Sequence, residues 1–388
     1  MALVDFALDP LPGPVLHRAL AELRIQAPVA PAKFFGEPAW LIARHDVLAE
    51  AFRDAERFPP PAMYRMSLEP VIGRSFISMD GPEHHRYRQL ATPAFRSRAV
   101  ERYEHSDLAA LAHELVDAID DTGEVDLVTT YSERLPYLVI TRLLGMPRDR
   151  EDEFHQWAIG LLRFAQDPAN ARRCVEEVTR YLAPVVEARR REPREDVISE
   201  LVRAEVDGRH LTDDEIYAHV RLLFPTGGET THGALGNLLY ALLRHEGLWE
   251  ELAGTPAAIR GAVEEALRWE TSVAVLPRMA APTPITFHEV EMPANSWVLF
   301  GIAGANRDPA VFPDPDRFDP ARACEDQLTF GPGHKSCPGM HLARKNLEIA
   351  VAVLIERFPK LHLIDPDEAE PRGVAPRGPV ALRVRVGS

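Results

Sequence analysis

Apolar residues return every three or four positions along most of this chain, the spacing that lines one face of a helix, so the pattern predicts a mainly helical protein. Helices are expected over residues 13–24, 45–54, 83–96, 106–121, 131–144, 148–164, 169–191 and 197–205, and again over 213–245, 248–253, 256–269 and 340–358. Shorter apolar runs predict strands around 275–279, 283–287 and 297–301. One hairpin is expected within 31–44, where Gly36-Glu37-Pro38 separates two apolar runs, and another pairing 361–364 with 380–386. Residues 57–78, with Pro59-Pro60-Pro61, break the periodicity and are expected to form a long irregular stretch. Loops of that length are usually functional or disordered, and the apolar content here favours function. The fold class is therefore mainly α with small β-sheets.

One helix stands out for its length. Starting at the capping box Thr212-x-x-Glu215, about 33 residues at 1.5 Å each would run roughly 50 Å, enough to cross the molecule. Its middle holds Pro225-Thr226-Gly227-Gly228-Glu229-Thr230-Thr231, a string that propensity disfavours inside a helix. Pro225 removes one backbone N–H and the glycines weaken the next turn. A local opening of the hydrogen-bond ladder that admits oxygen and water is expected there. Taken in isolation, the string equally fits a kinked structural helix with a solvated Glu229.

Length and charge narrow the class. The 388 residues contain no Ser/Gly-rich linker, low-complexity run or fixed-period repeat, so one domain spanning 1–388 is expected. A net charge of −15 disfavours nucleic acid and anionic membrane as partners. Three cysteines, Cys174, Cys324 and Cys337, are odd in number and far apart, which argues against a disulfide framework and for a reducing compartment. Neither a charged segment leading into an apolar run at the N-terminus nor a stretch of about 18 apolar residues is present. A cytoplasmic monomer without a membrane anchor is expected.

The chemistry concentrates at Phe330-Gly331-Pro332-Gly333-His334-Lys335-Ser336-Cys337-Pro338-Gly339, a glycine-punctuated loop that delivers one cysteine to the start of a helix. A cysteine so placed meets unpaired backbone N–H groups and the positive end of the helix dipole, which favour a thiolate able to ligate iron. Gly331, Gly333 and Gly339 allow tight turns and close approach to a flat cofactor, and Phe330 can shield the sulfur. Zinc fits poorly, because no CxxC or Cys/His set accompanies Cys337. A buried structural cysteine ahead of a helix would carry the same local sequence, but not three glycines and an aromatic around it.

With these residues the chain resembles the cytochrome P-450 superfamily of haem-thiolate monooxygenases, soluble bacterial type, whose signature is Phe-Gly-x-Gly-x-(His/Arg)-x-Cys-x-Gly. Lys335 stands where His or Arg is usual, which keeps the charge but loses bidentate geometry. Leu342-Ala343-Arg344 follows the family pattern, and Asn346 replaces a common glutamate. The resemblance implies a triangular helical prism around a buried haem b, with Cys337 as axial iron ligand and Phe330, Gly331, Lys335 and Gly339 in the cofactor loop. It also implies haem propionate contacts from His84 and Arg88, which fit His-x-x-x-Arg, and from Arg278 in Pro277-Arg278-Met279. Glu229 and Thr230 match the acid and alcohol of the family's proton relay, with Thr226 at a position usually held by a smaller residue. Splitting dioxygen needs two protons delivered in a pocket that otherwise excludes water, which is why such a pair is required. Glu265 and Arg268 fit Glu-x-x-Arg, implying a buried structural pair that braces the cysteine loop with a residue from 314–322.

By the same resemblance the substrate pocket draws on Met63, Tyr64, Leu223, Thr226, Gly227, Val273, Val275 and Leu276, a set that implies a lipophilic substrate. Electrons would come from NAD(P)H through ferredoxin reductase and ferredoxin, since the chain carries no flavin domain or iron–sulfur cysteine set. Lys335, Arg344, Lys345, Arg96 and Arg98 are expected to gather as a basic docking patch near the cysteine. The rival function is a non-catalytic haem-thiolate sensor or electron-transfer protein, which would have no need for Glu229 and Thr230 beside an apolar pocket.

Overall fold

The computed structural model describes residues 3–103, 108–120, 123–164 and 166–386. Helices dominate. Those that carry the expected site residues or pack directly on them are α1 (Gly81–Ala91), α2 (Arg134–Leu144), α3 (Glu151–Leu162), α4 (Asp213–Arg244), α5 (Ile259–Trp269) and α6 (Met340–Arg357). The 32-residue α4 opens with the expected capping box: Glu215 N donates to Thr212 Oγ1 at 3.3 Å and Thr212 N to Glu215 Oε2 at 2.8 Å. Most of its residues between Ile216 and Leu242 are buried, and they belong to the largest apolar cluster of the protein.

α4 is helical from Asp213 to Arg244 with Pro225 inside it, so the chain does not break there and the ladder lacks the one N–H that proline cannot supply. Threonine hydroxyls instead tie the weak turn together, Thr226 Oγ1 donating to Leu222 O at 2.6 Å, Thr230 Oγ1 to Thr226 O at 2.7 Å and Thr231 Oγ1 to Gly227 O at 2.9 Å. The glycine pair has a packing cause. A Cβ on Gly227 would lie 2.9 Å from Ile140 Cδ1, and one on Gly228 would lie 2.6 Å from Tyr137 Cδ1, so α2 can seat against α4 only where those side chains are missing.

A four-stranded sheet closes one side of the molecule. Its strands β1 (Ala30–Phe34), β2 (Glu37–Ile42), β3 (Leu276–Met279) and β4 (Trp297–Phe300) run in the order β1-β2-β4-β3, with β2 and β4 parallel and the outer pairs antiparallel. A three-stranded sheet joins the expected C-terminal hairpin, Leu361–Leu363 with Arg383–Val386, to an unexpected strand Glu124–Asp126.

Several boundaries differ from expectation for identifiable reasons. Residues 57–78 are not irregular: they form helices Pro61–Ser67 and Glu69–Ile72 and a 3-10 turn Phe76–Ser78. Their prolines occupy first-turn positions, where the missing N–H costs nothing. The helix expected over 83–96 stops at Ala91, and Pro93–Phe95 forms a separate 3-10 turn. Within the helix expected over 106–121 the structure shows Ala109–Asp117, while Ser106, Asp107 and Asp121 lie outside the described residues. The small hairpin Glu205–Val206 with Arg209–His210 was unexpected, and the strand expected around 283–287, Ile285–Phe287, forms a second one with an unexpected partner, Val290–Met292. The second turns on His288 and Glu289 at φ 45° and 64°, a left-handed pair without the glycine or asparagine that usually signals such a turn.

Candidate active site

The cysteine loop is shaped by two left-handed glycines, Gly331 at φ 64° and Gly333 at φ 91°, whereas Gly339 adopts an ordinary φ of −84° as the N-cap of α6. Cys337 N donates to Phe330 O at 2.8 Å and Ser336 N to Gly333 O at 3.0 Å, which folds the loop back on itself. Arg344 stacks 4.6 Å over the Phe330 ring while its Nε donates to Glu264 Oε1 at 2.6 Å. Burial pushes the Cys337 thiol above its ordinary pKa, opposed by the Gly339 N–H and by the charges of Arg88 and Arg344. The Gly339 N–H and the two guanidinium charges are the groups at this loop that favour the thiolate form. A metal ion bound at the sulfur would displace the thiol proton.

Around this loop the described residues collect more positive than negative charge. His84 is 4% exposed, and its Nε2 is buried with no hydrogen-bond partner. Burial, with Lys335 and Arg88 close by, pushes the His84 imidazole down to about 4. Arg88 donates only to backbone carbonyls, at 2.6 Å to Ser336 O and 3.4 Å to His334 O, and its own pKa is lowered by burial. Arg278, buried on β3, donates to the Tyr64 hydroxyl at 3.1 Å and lies 5.3 Å over that ring. Lys335 sends its ammonium to three carbonyls, Phe76 O and Ile77 O at 3.1 Å and Met79 O at 2.7 Å. Burial lowers it to about 7, with Asp80 favouring its charge and Arg88, Arg278 and Arg65 opposing it. An orphaned imidazole nitrogen among under-neutralised cations fits a ligand bearing carboxylates, as haem does.

Beneath the loop, Glu265 and Arg268 on α5 are wholly buried and paired through two 2.7 Å hydrogen bonds. Glu265 also accepts from Asp319 N at 2.9 Å, from Arg322 Nε at 3.2 Å and from the Cys324 thiol at 3.4 Å. Arg268 donates to Asn306 O and Pro315 O, and the Asn306 side chain in turn accepts from Leu328 N at 2.7 Å. This network spans the interval expected to carry the brace and identifies Arg322 as its member.

The centre of α4 is the one part of that helix with a run of half-buried positions: Thr226, Gly227, Glu229 and Thr230 are partly open while the preceding residues from Ile216 to Pro225 are buried. The Thr230 hydroxyl donates to its own helix and keeps its lone pairs free. Glu229 points toward α2 and α3, where Oε2 accepts from Tyr137 OH at 2.8 Å and lies 3.7 Å from His155 Nε2. Glu133, just ahead of α2, pairs with the other ring nitrogen of His155. Sequence reading missed Tyr137, His155 and Glu133, since nothing local signals a partner on another helix.

The pocket residues separate on inspection. Tyr64, Thr226, Val273 and Leu276 are half-buried, Met63 and Leu223 are buried, and Tyr64 and Leu223 belong to the apolar surround of α4. Val275 packs with Phe6, Leu16 and Leu20 in a separate N-terminal cluster, and the bare face of Gly227 meets α2, so neither is placed to line a pocket. The expected docking patch also thins. Lys335 turns inward, Arg344 is held by Glu264 and Lys345 by Glu348 at 2.8 Å, which leaves Arg96 and Arg98 exposed. A cleft of about 340 Å³ reaches Cys337 between His85, Arg88, Phe95 and Met340. A larger cleft of about 1550 Å³, bordered by Arg148, Tyr181 and Asp196, includes none of the expected site residues.

The sulfur loop, the brace under it and the interrupted apolar face of α4 together define a haem-thiolate oxidoreductase. The family model described as Cytochrome P450 matches residues 259–375, and the chain belongs to the cytochrome P450 family. It is 34% identical to 6-deoxyerythronolide B hydroxylase of Saccharopolyspora erythraea over 91% of each chain. With cytochrome P450 monooxygenase PikC of Streptomyces venezuelae it shares 33% identity over 94% of this chain and 88% of that protein. Its fold is similar to that of PksS, the cytochrome P450 of the Bacillus subtilis 168 bacillaene polyketide synthase, at a TM-score of 0.88 and 29% identity, covering 96% and 97% of the two chains. The protein is thus a haem-thiolate monooxygenase of bacterial type. Among the described residues no helix is long and apolar enough to cross a membrane.

Proposed function

We propose that this protein, a single cytochrome P450 domain over residues 1–388, oxidises a lipophilic small molecule in the cytoplasm as a monomer, with electrons from NAD(P)H through ferredoxin reductase and ferredoxin. The observation that carries the reading is the orphaned His84 nitrogen among Arg88, Arg278 and Lys335 beside the Cys337 loop. Cys337 would hold the haem iron, His84, Arg88 and Arg278 the propionates, and Phe330, Gly331 and Gly339 would shape the loop around the ring. For Lys335 to join them, at least one of its three carbonyl contacts must be given up. When bound, haem supplies the activation of dioxygen, helped by electron donation from the thiolate.

The chain's own residues manage protons and water. Thr230, whose hydroxyl hydrogen is engaged with Thr226 O, presents oxygen lone pairs that accept a hydrogen bond, and Glu229 beside it takes up and releases a proton. Met63, Tyr64, Leu223, Thr226, Val273 and Leu276 supply a mostly apolar wall that keeps water from competing with substrate. The relatives named as a hydroxylase and a monooxygenase support an oxygen-inserting reaction. Exposed Arg96 and Arg98 are the cations best placed to receive an acidic ferredoxin.

The test is a reconstituted system with reductase and ferredoxin, scanned with lipophilic compounds chosen by their spin-state shift of the ferric protein. NAD(P)H oxidation should rise with the compounds that shift the spectrum, and oxidised product should appear. In Thr230→Ala, NAD(P)H consumption should persist while product falls and peroxide rises. Parent-like coupling in that variant would remove Thr230 from the relay.

A further inference from the structure

Glu229 needs a supply of protons, and the structure shows what stands on its outer side. Three acid–base side chains from separate elements line up from the surface inward. The side chains of Glu133 and His155 are equally open, at 27% and 26% exposed, and that of Glu229 lies deeper at 13%. One ring nitrogen of His155, Nδ1, is paired with Glu133 Oε1, and the other, Nε2, faces Glu229 Oε2 at 3.7 Å. That gap is too long for a hydrogen bond, but a small rotation or one bridging water spans it.

The other neighbours of Glu229 and His155 act as fixed supports. Tyr137 donates its phenol to the same Glu229 oxygen at 2.8 Å, and its pKa is pushed far up by burial and by Glu229, so it holds the carboxylate without supplying protons. The groups facing His155 among the described residues are Glu133 and Tyr137 from the α2 segment and Glu229 and His232 from α4. The rings of Tyr137 and His232 stand 5.3 Å and 6.3 Å from it. His155 is placed between two carboxylates, with one ring nitrogen toward each.

We propose that His155, aligned by Glu133, is the positioning residue through which solvent protons reach Glu229; this rests on the reading of Glu229 as the relay acid. In the step, the Nε2–H bond of the imidazolium breaks and an O–H bond forms on Glu229 Oε2. The ring is left neutral, its Nδ1–H still donated to Glu133. Glu229 passes the proton inward and returns to carboxylate, and Nε2 recovers a proton from water. One solvent proton moves inward per cycle and no group changes oxidation state.

The experiment compares His155→Gln, Glu133→Gln and Glu229→Gln as haem-loaded proteins, reading product per NAD(P)H across pH, with the spin-state shift and ferrous carbon monoxide band as controls for an intact site. His155→Gln should lower product yield about tenfold and flatten its pH dependence. The His155→Gln/Glu229→Gln double variant should be no worse than the worse single variant, since both act in one path. Independently of turnover, 15N NMR of the parent in its diamagnetic ferrous carbon monoxide form should show His155 protonated at Nδ1, with that preference lost in Glu133→Leu, which removes the acceptor. If Glu229→Gln loses yield while His155→Gln keeps the parent's yield and pH profile, the His155 route is wrong and the Glu229 relay stands. If Glu229→Gln keeps full yield, the relay reading itself fails. Should His155→Gln not fold, an Nδ1 found bare in the parent at neutral pH overturns the proposal without any variant.

Discussion

Replacing Gly228 by alanine puts one methyl group between α2 and α4. The added Cβ would lie 2.6 Å from Tyr137 Cδ1 and 2.8 Å from Tyr137 Cζ, closer than carbon atoms approach in folded proteins. Tyr137 is buried and cannot swing into solvent, so either its ring moves or the two helices part. Overpacking of this kind costs about 1–3 kcal/mol. Displacing the ring also breaks the Tyr137 hydrogen bond to Glu229, and a bond to a charged group contributes about 1.5–3 kcal/mol. Against this, alanine gains about 1 kcal/mol over glycine in a helix interior. The net expectation is a loss of about 1.5–5 kcal/mol, shared between the steric contact and the broken hydrogen bond. For 388 residues the entropy of unfolding is about 0.8 kcal/mol per kelvin, so the thermal midpoint should fall by about 2–6 °C. Calorimetry on the haem-loaded protein measures this, with Gly254→Ala as control, since nothing lies within 4 Å of a Cβ there. Shrinking the opposing ring with Tyr137→Leu should recover part of the Gly228→Ala loss, giving a non-additive pair. A midpoint at or above the parent's, or strict additivity with Tyr137→Leu, would refute the reasoning.

Cys337→His should abolish the strongly red-shifted carbon monoxide band of the ferrous protein; its retention would show that another group holds the iron. Glu215 accepts from Arg209 through two 2.7 Å hydrogen bonds, and these hold its carboxyl well below the ordinary range, aided by Tyr87 and Thr212 against the cost of burial. A depressed carboxyl stabilises the fold above its unfolded value of about 4.3 and loses that contribution as pH falls below it. Glu215→Gln should therefore lower the thermal midpoint at pH 7, with the gap to the parent closing under acid; a gap constant with pH would contradict the pairing. Reversing both Arg96 and Arg98 to glutamate should slow the first electron transfer and flatten its dependence on ionic strength, read by stopped flow. An unchanged rate with normal haem content would move the docking site elsewhere.

What the sequence disclosed was what is written locally. The cysteine loop is ten contiguous residues, and the capping box and the length of α4 follow from spacing alone. Glu265 and Arg268 share a helical face, so their pairing was readable, but the choice of Arg322 within the expected interval was not. The segment 57–78 was misread because proline both starts and breaks helices, and only tertiary context separates the two. The purpose of Gly227 and Gly228 was hidden for a different reason: their partners lie on α2, distant in sequence. The inward turn of Lys335 and the approach of His155 to Glu229 likewise depend on which helices meet.

The network under the cysteine loop divides its members unequally with respect to change. Glu265 accepts from Arg268 twice and from Asp319 N, Arg322 and Cys324 once each. Loss of the Cys324 thiol, or of the longer Arg322 contact, leaves the carboxylate still satisfied by its strongest donors. Loss of Glu265 strands Arg268 with its charge wholly buried and uncompensated. Over evolutionary time the periphery of this cluster is therefore free to drift one residue at a time. Glu265 and Arg268 can be exchanged only together, through intermediates that scarcely fold, which makes the pair a kinetic trap in sequence space.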